Sequence, residues 1–186
     1  MLDIYLDLDG VCVAFVEGLC ERLGMENQLE KWPHGIYDLH EATDITYEAA
    51  LDVYMNADFW ADLLPYPWMG ELIGLCQQFG NVSFASTPAG GHALPRSSWG
   101  KMRWARTHAP EVTVHLTDRK ESLSRPGAVL IDDYDKNVDD FIEHGKGGYG
   151  VLFPQKWNSL FALKTWEQKR QWITRRLSHF AEVHNG

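Results

Sequence analysis

The chain has 186 residues, of which 45% are hydrophobic and 23% charged, a balance that suits one globular domain or one domain with a sizeable insertion. Its 17 basic and 26 acidic residues give a net charge of −9, which argues against extended nucleic acid as a partner. The N-terminus does not resemble a signal peptide, and no apolar stretch approaches the roughly 20 residues needed to span a bilayer, so we expect a cytoplasmic protein without a membrane partner.

The N-terminal part of the chain predicts one strand followed by several helices. Residues 4–8 form an apolar run that stops at an Asp-Gly pair, which is typical of a buried strand ending in a turn. Residues 11–23 have helical apolar spacing. Thr46 is a candidate N-cap for a helix over residues 46–56, and residues 68–79 predict another helix. The three cysteines have no CxxC spacing, and we expect buried thiols.

Strands and helices alternate along the C-terminal part of the chain. Apolar runs predict strands at 82–85, 112–116, 128–131 and 149–153, and helical patterns predict helices at 97–108 and 138–144 and a mostly helical stretch over 155–184. Alternation of this kind indicates βαβ units and a parallel sheet. We therefore expect an α/β fold with a Rossmann-like parallel sheet flanked by helices, and a small helical cap inserted after the first strand.

Acidic pairs follow two of the predicted strands. Asp7 and Asp9 come at the end of the first strand, and Asp132 and Asp133 end the run that begins at residue 128. Parallel strands bring their carboxyl ends to one edge of a sheet, and clustered carboxylates suit Mg²⁺. An Asp-Gly turn or a helix cap is the structural alternative for either pair taken alone.

Hydroxyl and lysine side chains follow two of the remaining three predicted strands. Ser86 and Thr87 come directly after the strand at 82–85, and Lys120 lies beyond the strand at 112–116. Both residue types can bind phosphoryl oxygens. Lys101 is a rival for the lysine role, but its position on a predicted helix favours an exposed surface residue.

This ordered set resembles the motifs of the haloacid dehalogenase-like phosphohydrolase superfamily over roughly residues 1–153. Asp7 to Gly10 matches the first motif, Ser86 the second, Lys120 the third, and Asp132 with Asp133 the fourth. The resemblance implies a core domain formed by residues 1–12 and 76–186, with a helical cap formed by residues 13–75.

A closer resemblance is to the 5′(3′)-deoxyribonucleotidase family. It rests on the run from Asp7 to Phe15, on the Ser86-Thr87-Pro88 stretch, and on residues 116–120 followed by 130–133. It implies a Mg²⁺-dependent hydrolase, a phosphatase of nucleotide metabolism, that removes phosphate from nucleoside monophosphates. Because the cap matches poorly, the substrate is less firmly indicated than the reaction.

The resemblance also implies a role for each site residue. Asp7 would be the nucleophile and form an aspartyl-phosphate, and Asp9 would be the general acid and base. The Asp7 side chain, the Asp9 main-chain carbonyl and Asp132 or Asp133 would hold Mg²⁺. The phosphate would be bound by Ser86, Thr87 and Lys120, and the substrate would contact the aromatic residues Phe15, Trp32 and Tyr37.

Other functions remain open from the sequence alone. The same chemistry could act on a sugar phosphate, another small phosphate ester, or the 3′-phosphate end of a polynucleotide, although the acidic chain disfavours the last of these. A non-catalytic binding protein could retain the fold, but it would have no need of Asp9. The oligomeric state is not determined, and a homodimer is one option.

Overall fold

The computed structural model describes residues 1–185 and contains a five-stranded sheet in the order β3-β2-β1-β4-β5. All four strand pairs are parallel. The strands are β1 (Leu2–Leu6), β2 (Gly80–Ser86), β3 (Thr113–Leu116), β4 (Ala128–Asp132) and β5 (Tyr149–Leu152). The predicted α/β fold with a parallel sheet is confirmed, and its architecture is consistent with a Rossmann-like fold.

Eight α-helices accompany the sheet in the described part of the chain. They are α1 (Phe15–Arg22), α2 (Leu39–Ala42), α3 (Tyr47–Tyr54), α4 (Ala57–Asp62), α5 (Met69–Gln77), α6 (Leu94–His108), α7 (Asp135–Glu143) and α8 (Trp166–Asn185). Short 3₁₀ helices cover Gln28–Lys31, Gly91–Ala93 and Lys120–Leu123. None of the described helices is long and apolar enough to cross a membrane.

The two central strands position the site because they are buried almost throughout. Every residue of β4 is buried, as are four of the five residues of β1. Such continuously apolar strands are typical of a parallel sheet covered on both faces. Leu6 is paired with Ile131, so Asp7 and Asp132 follow side by side at the carboxyl edge of the sheet.

Local sequence signals account for several helix boundaries. Thr46 caps α3 as predicted, because its side chain accepts a hydrogen bond from the Ala49 amide. The first helix begins at Phe15 rather than at Val11, because the amides of residues 11–13 all donate to the Leu8 carbonyl and form a tight loop there. Cys12, Cys20 and Cys76 are free, buried thiols, which confirms that prediction.

The stretch over residues 155–184, predicted to be mostly helical, is helical only from Trp166, and residues 155–165 form turns and irregular structure. Asn158 accounts for the difference. Its side-chain amide donates to the carbonyls of Phe153 and Asp133, and its side-chain oxygen accepts from the amides of Gln155 and Leu160. A side chain that forms four hydrogen bonds with backbone groups stabilises a turn relative to a helix.

The helical segment between β1 and β2 shares the apolar core of the sheet. The predicted boundary between residues 75 and 76 falls inside α5, which packs against β2 and α8. Likewise α4 packs against α6, and the Trp104 indole of α6 donates to the Leu63 carbonyl. The division into a core and a separate cap stays a prediction.

Candidate active site

The carboxyl edge of the sheet brings together the acidic and hydroxyl residues that the sequence indicates. Asp7 directly follows β1, Ser86 is the last residue of β2, and Asp132 is the last residue of β4, with Asp133 next. All four side chains are buried. The two flanks of β1 thus supply a hydroxyl on one side and two carboxylates on the other, at the point where open α/β sheets bind ligands.

Three carboxylates form a cluster at this edge. One oxygen from each of Asp7, Asp132 and Asp133 lies within 4.8 Å of the others. Asp133 Oδ1 is buried and has no hydrogen-bond partner among the described residues, whereas the buried Asp7 Oδ1 has only the Lys120 ammonium, 2.8 Å away, as a partner. Unpaired buried carboxylate oxygens are costly, and three converging carboxylates are the ligand type that a hard divalent cation prefers. The residues therefore could hold a divalent metal ion.

The electrostatics of the cluster favour the binding of a cation. Burial raises the pKa of Asp133 well above its usual value, and the neighbouring Asp132 and Asp7 raise it further. Burial also raises the pKa of Asp132, although Lys120 opposes this. A cation among these groups would favour their ionised forms.

Lys120 is part of this cluster. It is 4% exposed, donates a 2.6 Å hydrogen bond to Asp132, and lies 2.8 Å from Asp7 Oδ1 at angles outside hydrogen-bond geometry. Burial alone would lower the Lys120 pKa, but Asp132 and Asp7 more than offset it, so the pKa lies above its usual value. Asn137 and the Tyr134 amide also donate to Asp132 and fix its orientation.

Asp133 is held in place by the segment that follows β5. The Trp157 indole donates to Asp133 Oδ2 at 2.8 Å, and Asn158 donates to the Asp133 carbonyl. Gly10 has a φ of 75°, and a Cβ there would lie 2.0 Å from Asp133 Oδ2. A glycine is therefore required both by the backbone conformation and by the close approach of the acid.

Asp9 lies on the other side of Asp7 and is paired with Lys101. The Lys101 ammonium lies 2.5 Å from Asp9 Oδ2, 3.0 Å from Ser86 Oγ and 2.7 Å from the Thr87 carbonyl. Burial raises the Asp9 pKa, Lys101 opposes the shift, and Asp7 adds to it. A carboxyl with a raised pKa is suited to donating a proton.

The expectation that Lys101 is an exposed surface residue is wrong, because Lys101 is 3% exposed. Its α6 position points the side chain inward to Asp9 and Ser86, where the ion pair compensates its burial. The two lysines are therefore divided, with Lys120 on the carboxylate cluster and Lys101 beside Ser86 and Asp9. The Thr87 side chain is exposed, and its carbonyl is the group that contacts Lys101.

A cleft of about 240 Å³, here called the aromatic cleft, opens beside Asp9 and Asp133. The three aromatic residues predicted to bind substrate, Phe15, Trp32 and Tyr37, all line it. Tyr37 is 44% exposed and stacks on Tyr134 with 3.7 Å between ring centroids. The other two are less accessible, since Phe15 stacks on Trp60 and the Trp32 indole donates to the Ile36 carbonyl.

Sequence reasoning missed three residues that support the site, namely Asn137, Trp157 and Asn158, and it considered Lys101 but assigned it to the surface. A usable signal existed for two of them, because Trp157 and Asn158 follow β5 at the same edge of the sheet as the acids. The burial of Lys101 depends on how α6 packs against α4 and the sheet, and helical spacing alone does not reveal it.

Comparisons with known proteins do not assign this chain to a family. No protein-family model matches the sequence, and a search of curated proteins returns no significant match. The functional assignment therefore depends on the geometry of the candidate active site.

Proposed function

We propose that this chain is a Mg²⁺-dependent phosphomonoesterase of the haloacid dehalogenase-like superfamily, in which Asp7 is the nucleophile. The observation that carries the proposal is the buried Asp7, Asp132 and Asp133 cluster, in which Asp133 Oδ1 has no partner among the described residues, lying beside the Asp9, Lys101 and Ser86 network. One half of this arrangement is suited to a cation and the other half to a phosphoryl group.

The metal-binding half consists of carboxylates that are held in position by hydrogen bonds and ion pairs with neighbouring residues. Asp7, Asp132 and Asp133 would hold Mg²⁺, with the Asp9 main-chain carbonyl as a further ligand. A bound Mg²⁺ supplies positive charge that offsets the dianionic phosphate. Lys120 contributes charge to the same side through its contacts with Asp132 and Asp7.

The phosphate-binding half consists of Ser86 and Lys101, and the Lys120 ammonium, which lies among the carboxylates, would also bind a phosphoryl oxygen. In the first step an Asp7 oxygen forms a bond to phosphorus as the bond to the leaving alcohol oxygen breaks, and Asp9 donates a proton to that oxygen. In the second step Asp9 takes a proton from water, whose oxygen displaces Asp7 and releases inorganic phosphate. Lys101 contacts both Asp9 and Ser86, so it would orient the acid and neutralise phosphoryl charge.

We further propose a nucleoside monophosphate as the substrate and the helical segment 13–75 as the cap that forms its pocket. The aromatic cleft adjoins Asp9 and Asp133, and it is lined by rings on which a base could stack. The Asp9–Lys101 pair favours catalysis over simple binding, because a binding protein does not require an acid poised beside the nucleophile.

The experiment that tests this function is phosphate release from a panel of esters, with Mg²⁺ and with EDTA. The panel contains 5′- and 3′-deoxynucleoside monophosphates, ribonucleotides, a sugar phosphate and a 3′-phosphorylated oligonucleotide. We expect Mg²⁺-dependent release, fastest from the deoxynucleotides and abolished by Asp7→Asn. Asp3→Asn is the matched control, because Asp3 lies on β1, the strand that Asp7 directly follows, and pairs with Arg125 at the surface.

Each remaining outcome has a defined meaning. Release from the sugar phosphate alone would retain the chemistry and exclude the nucleotide. No release from any ester by folded protein in Mg²⁺ would contradict the phosphomonoesterase proposal and favour a binding function.

A further inference from the structure

A second cleft, here called the lysine cleft, lies against α8 and has a volume of about 210 Å³. Its lining includes Glu17, Tyr66, Trp68, Lys156, Lys164 and Lys169. None of the described residues lines both this cleft and the aromatic cleft, and the proposed reaction assigns no role to it.

Lys169 is the unusual residue of the lysine cleft. It is 4% exposed, and its only polar contact within residues 1–185 is a 3.4 Å hydrogen bond to Gln155 Oε1. The ammonium lies over the rings of Trp68 and Phe153, at 4.6 Å and 5.0 Å from their centroids. A buried ammonium normally has an acidic partner or several acceptors, so two of its three N–H donors remain available to a ligand.

The pKa of Lys169 agrees with incomplete pairing. Burial lowers it to about 8, although Asp133 and Glu17 oppose the shift from a distance. A negatively charged ligand in contact with the ammonium would offset this cost of burial.

The charges around the cleft favour an anion. Three lysines and one acid line it, in a chain whose net charge is −9. The acid, Glu17, already accepts a 3.2 Å hydrogen bond from the Tyr66 hydroxyl, and burial raises the Glu17 pKa, which favours its neutral form. The local field is therefore positive although the protein is acidic.

The other residues that line the lysine cleft are largely apolar, so they favour a ligand in which the anionic group is attached to an apolar group. Leu29, Phe161 and Leu163 complete the lining together with the Trp68 ring. A water occupies roughly 30 Å³, so the cleft has room for on the order of seven waters, or an organic molecule of similar size. A single buried ammonium between apolar walls matches one carboxylate on a small hydrophobic group.

We propose that the lysine cleft is a binding site for a small organic carboxylate, whose carboxylate contacts Lys169 and whose apolar part packs against Trp68. The site is separate from the proposed phosphatase site, and its occupancy does not depend on whether the protein hydrolyses phosphate esters.

Benzoate is a suitable probe, and benzamide is its uncharged counterpart of the same shape. Titration of each into ¹⁵N-labelled protein is followed at the indole N–H signals, assigned with Trp68→Phe and Trp157→Phe. We expect benzoate to shift the Trp68 signal saturably, and benzamide to bind at least about tenfold more weakly, because a charge-assisted hydrogen bond is worth roughly 1.5–3 kcal/mol.

The variant test uses Lys169→Met, which removes the ammonium and keeps most of the length of the side chain, and Lys146→Met, which removes an exposed lysine elsewhere. Benzoate binding should weaken at least about tenfold in the first and stay unchanged in the second. Equal binding of benzoate and benzamide by the wild type would overturn the proposal even if Lys169→Met failed to fold. A benzoate response at Trp157 alone, or none at either signal, would also overturn it.

Discussion

The two sides of the aromatic cleft are built from different kinds of residue. The carboxyl edge of the sheet carries charged side chains that hold one another in ion pairs, namely Lys101 with Asp9 and Lys120 with Asp132. The helical side carries aromatic rings, and its most exposed ring, Tyr37, contacts the sheet side by stacking on Tyr134. If the proposed function is correct, the sheet edge carries the groups for the reaction and the helical side carries the groups that would select the ester.

The largest effect is expected from Lys101→Met at the sheet edge. The substitution removes the ammonium from Asp9 and Ser86, and we expect kcat to fall about 100-fold or more. Because Lys101 lowers the Asp9 pKa, its loss should also move the alkaline limb of the kcat/KM profile to higher pH. Steady-state kinetics across pH measure both changes. Lys136→Met, on the exposed face of α7, is the control, and wild-type turnover by Lys101→Met would contradict the assignment.

Gly10→Ala tests how closely the loop after β1 must approach Asp133. The new Cβ would clash with Asp133 Oδ2, and the alanine backbone would have to adopt a left-handed conformation. We therefore expect the free energy of unfolding to fall by about 3 kcal/mol or more. Gly35→Ala is the matched control, since Gly35 has a similar φ of 78° and open space around it. Its expected cost is only about 1 kcal/mol. Denaturant unfolding measures both, and equal losses would mean that the contact with Asp133 is unimportant.

The carboxylate cluster should make the metal-free protein less stable as pH rises. A carboxyl whose pKa is raised in the folded state binds protons more readily there than in the unfolded chain. The free energy of unfolding therefore falls as the pH rises from about 4, near the pKa of an aspartate in the unfolded chain, to the raised pKa of Asp133. In EDTA at pH 8 we expect Asp133→Asn to be more stable than wild type, by about 1 kcal/mol or more.

Mg²⁺ should reverse that order, because it stabilises the wild type by binding the folded state and Asp133→Asn loses a ligand. Thermal unfolding with Mg²⁺ and with EDTA measures the reversal. Asp52→Asn, at an exposed position on α3, should follow the wild type in both conditions. Equal Mg²⁺ stabilisation of wild type and Asp133→Asn would exclude Asp133 as a ligand.

The smallest effect is expected on the helical side, from Tyr37→Ala. Loss of one stacking surface should raise KM for a deoxynucleoside monophosphate by about fivefold to tenfold, because base stacking is worth roughly 1–3 kcal/mol. The KM for glycerol phosphate, which has no base, should stay unchanged. Tyr47→Ala removes an exposed tyrosine outside the cleft and serves as the control. Parallel changes for both substrates would show that Tyr37 acts on the fold instead of on the base.

Much of the sheet and its acidic edge could be predicted from the sequence, because short apolar runs ending in polar residues are local patterns. Each of the five strands overlaps a predicted run, although β1 begins at Leu2 and β2 at Gly80, two residues before the predicted starts. The convergence of Asp7, Ser86 and Asp132 follows from parallel topology, which alternation of strands and helices already indicates.

The rest depended on contacts between distant segments. Lys101 is buried because α6 faces Asp9, 92 residues earlier in the chain, and Trp157 reaches back to Asp133 across a turn that resembled helix in the sequence. The helical segment was the least predictable part, because its aromatic residues serve either as core or as cleft lining, and spacing does not separate the two. Phe59 and Trp60 are core, whereas Tyr37 is exposed in the cleft.

The central claim, that Asp7 is phosphorylated during the reaction, can be tested directly with Asp9→Asn. p-Nitrophenyl phosphate has a leaving group that needs no proton, so the first step should proceed while hydrolysis of the intermediate is slowed. After acid quenching and borohydride reduction in Mg²⁺-loaded samples, mass spectrometry of the tryptic peptide 1–22 should show reduction of Asp7 to homoserine. Turnover of the ester with an unmodified Asp7, or phosphoryl transfer to another residue, would contradict the account.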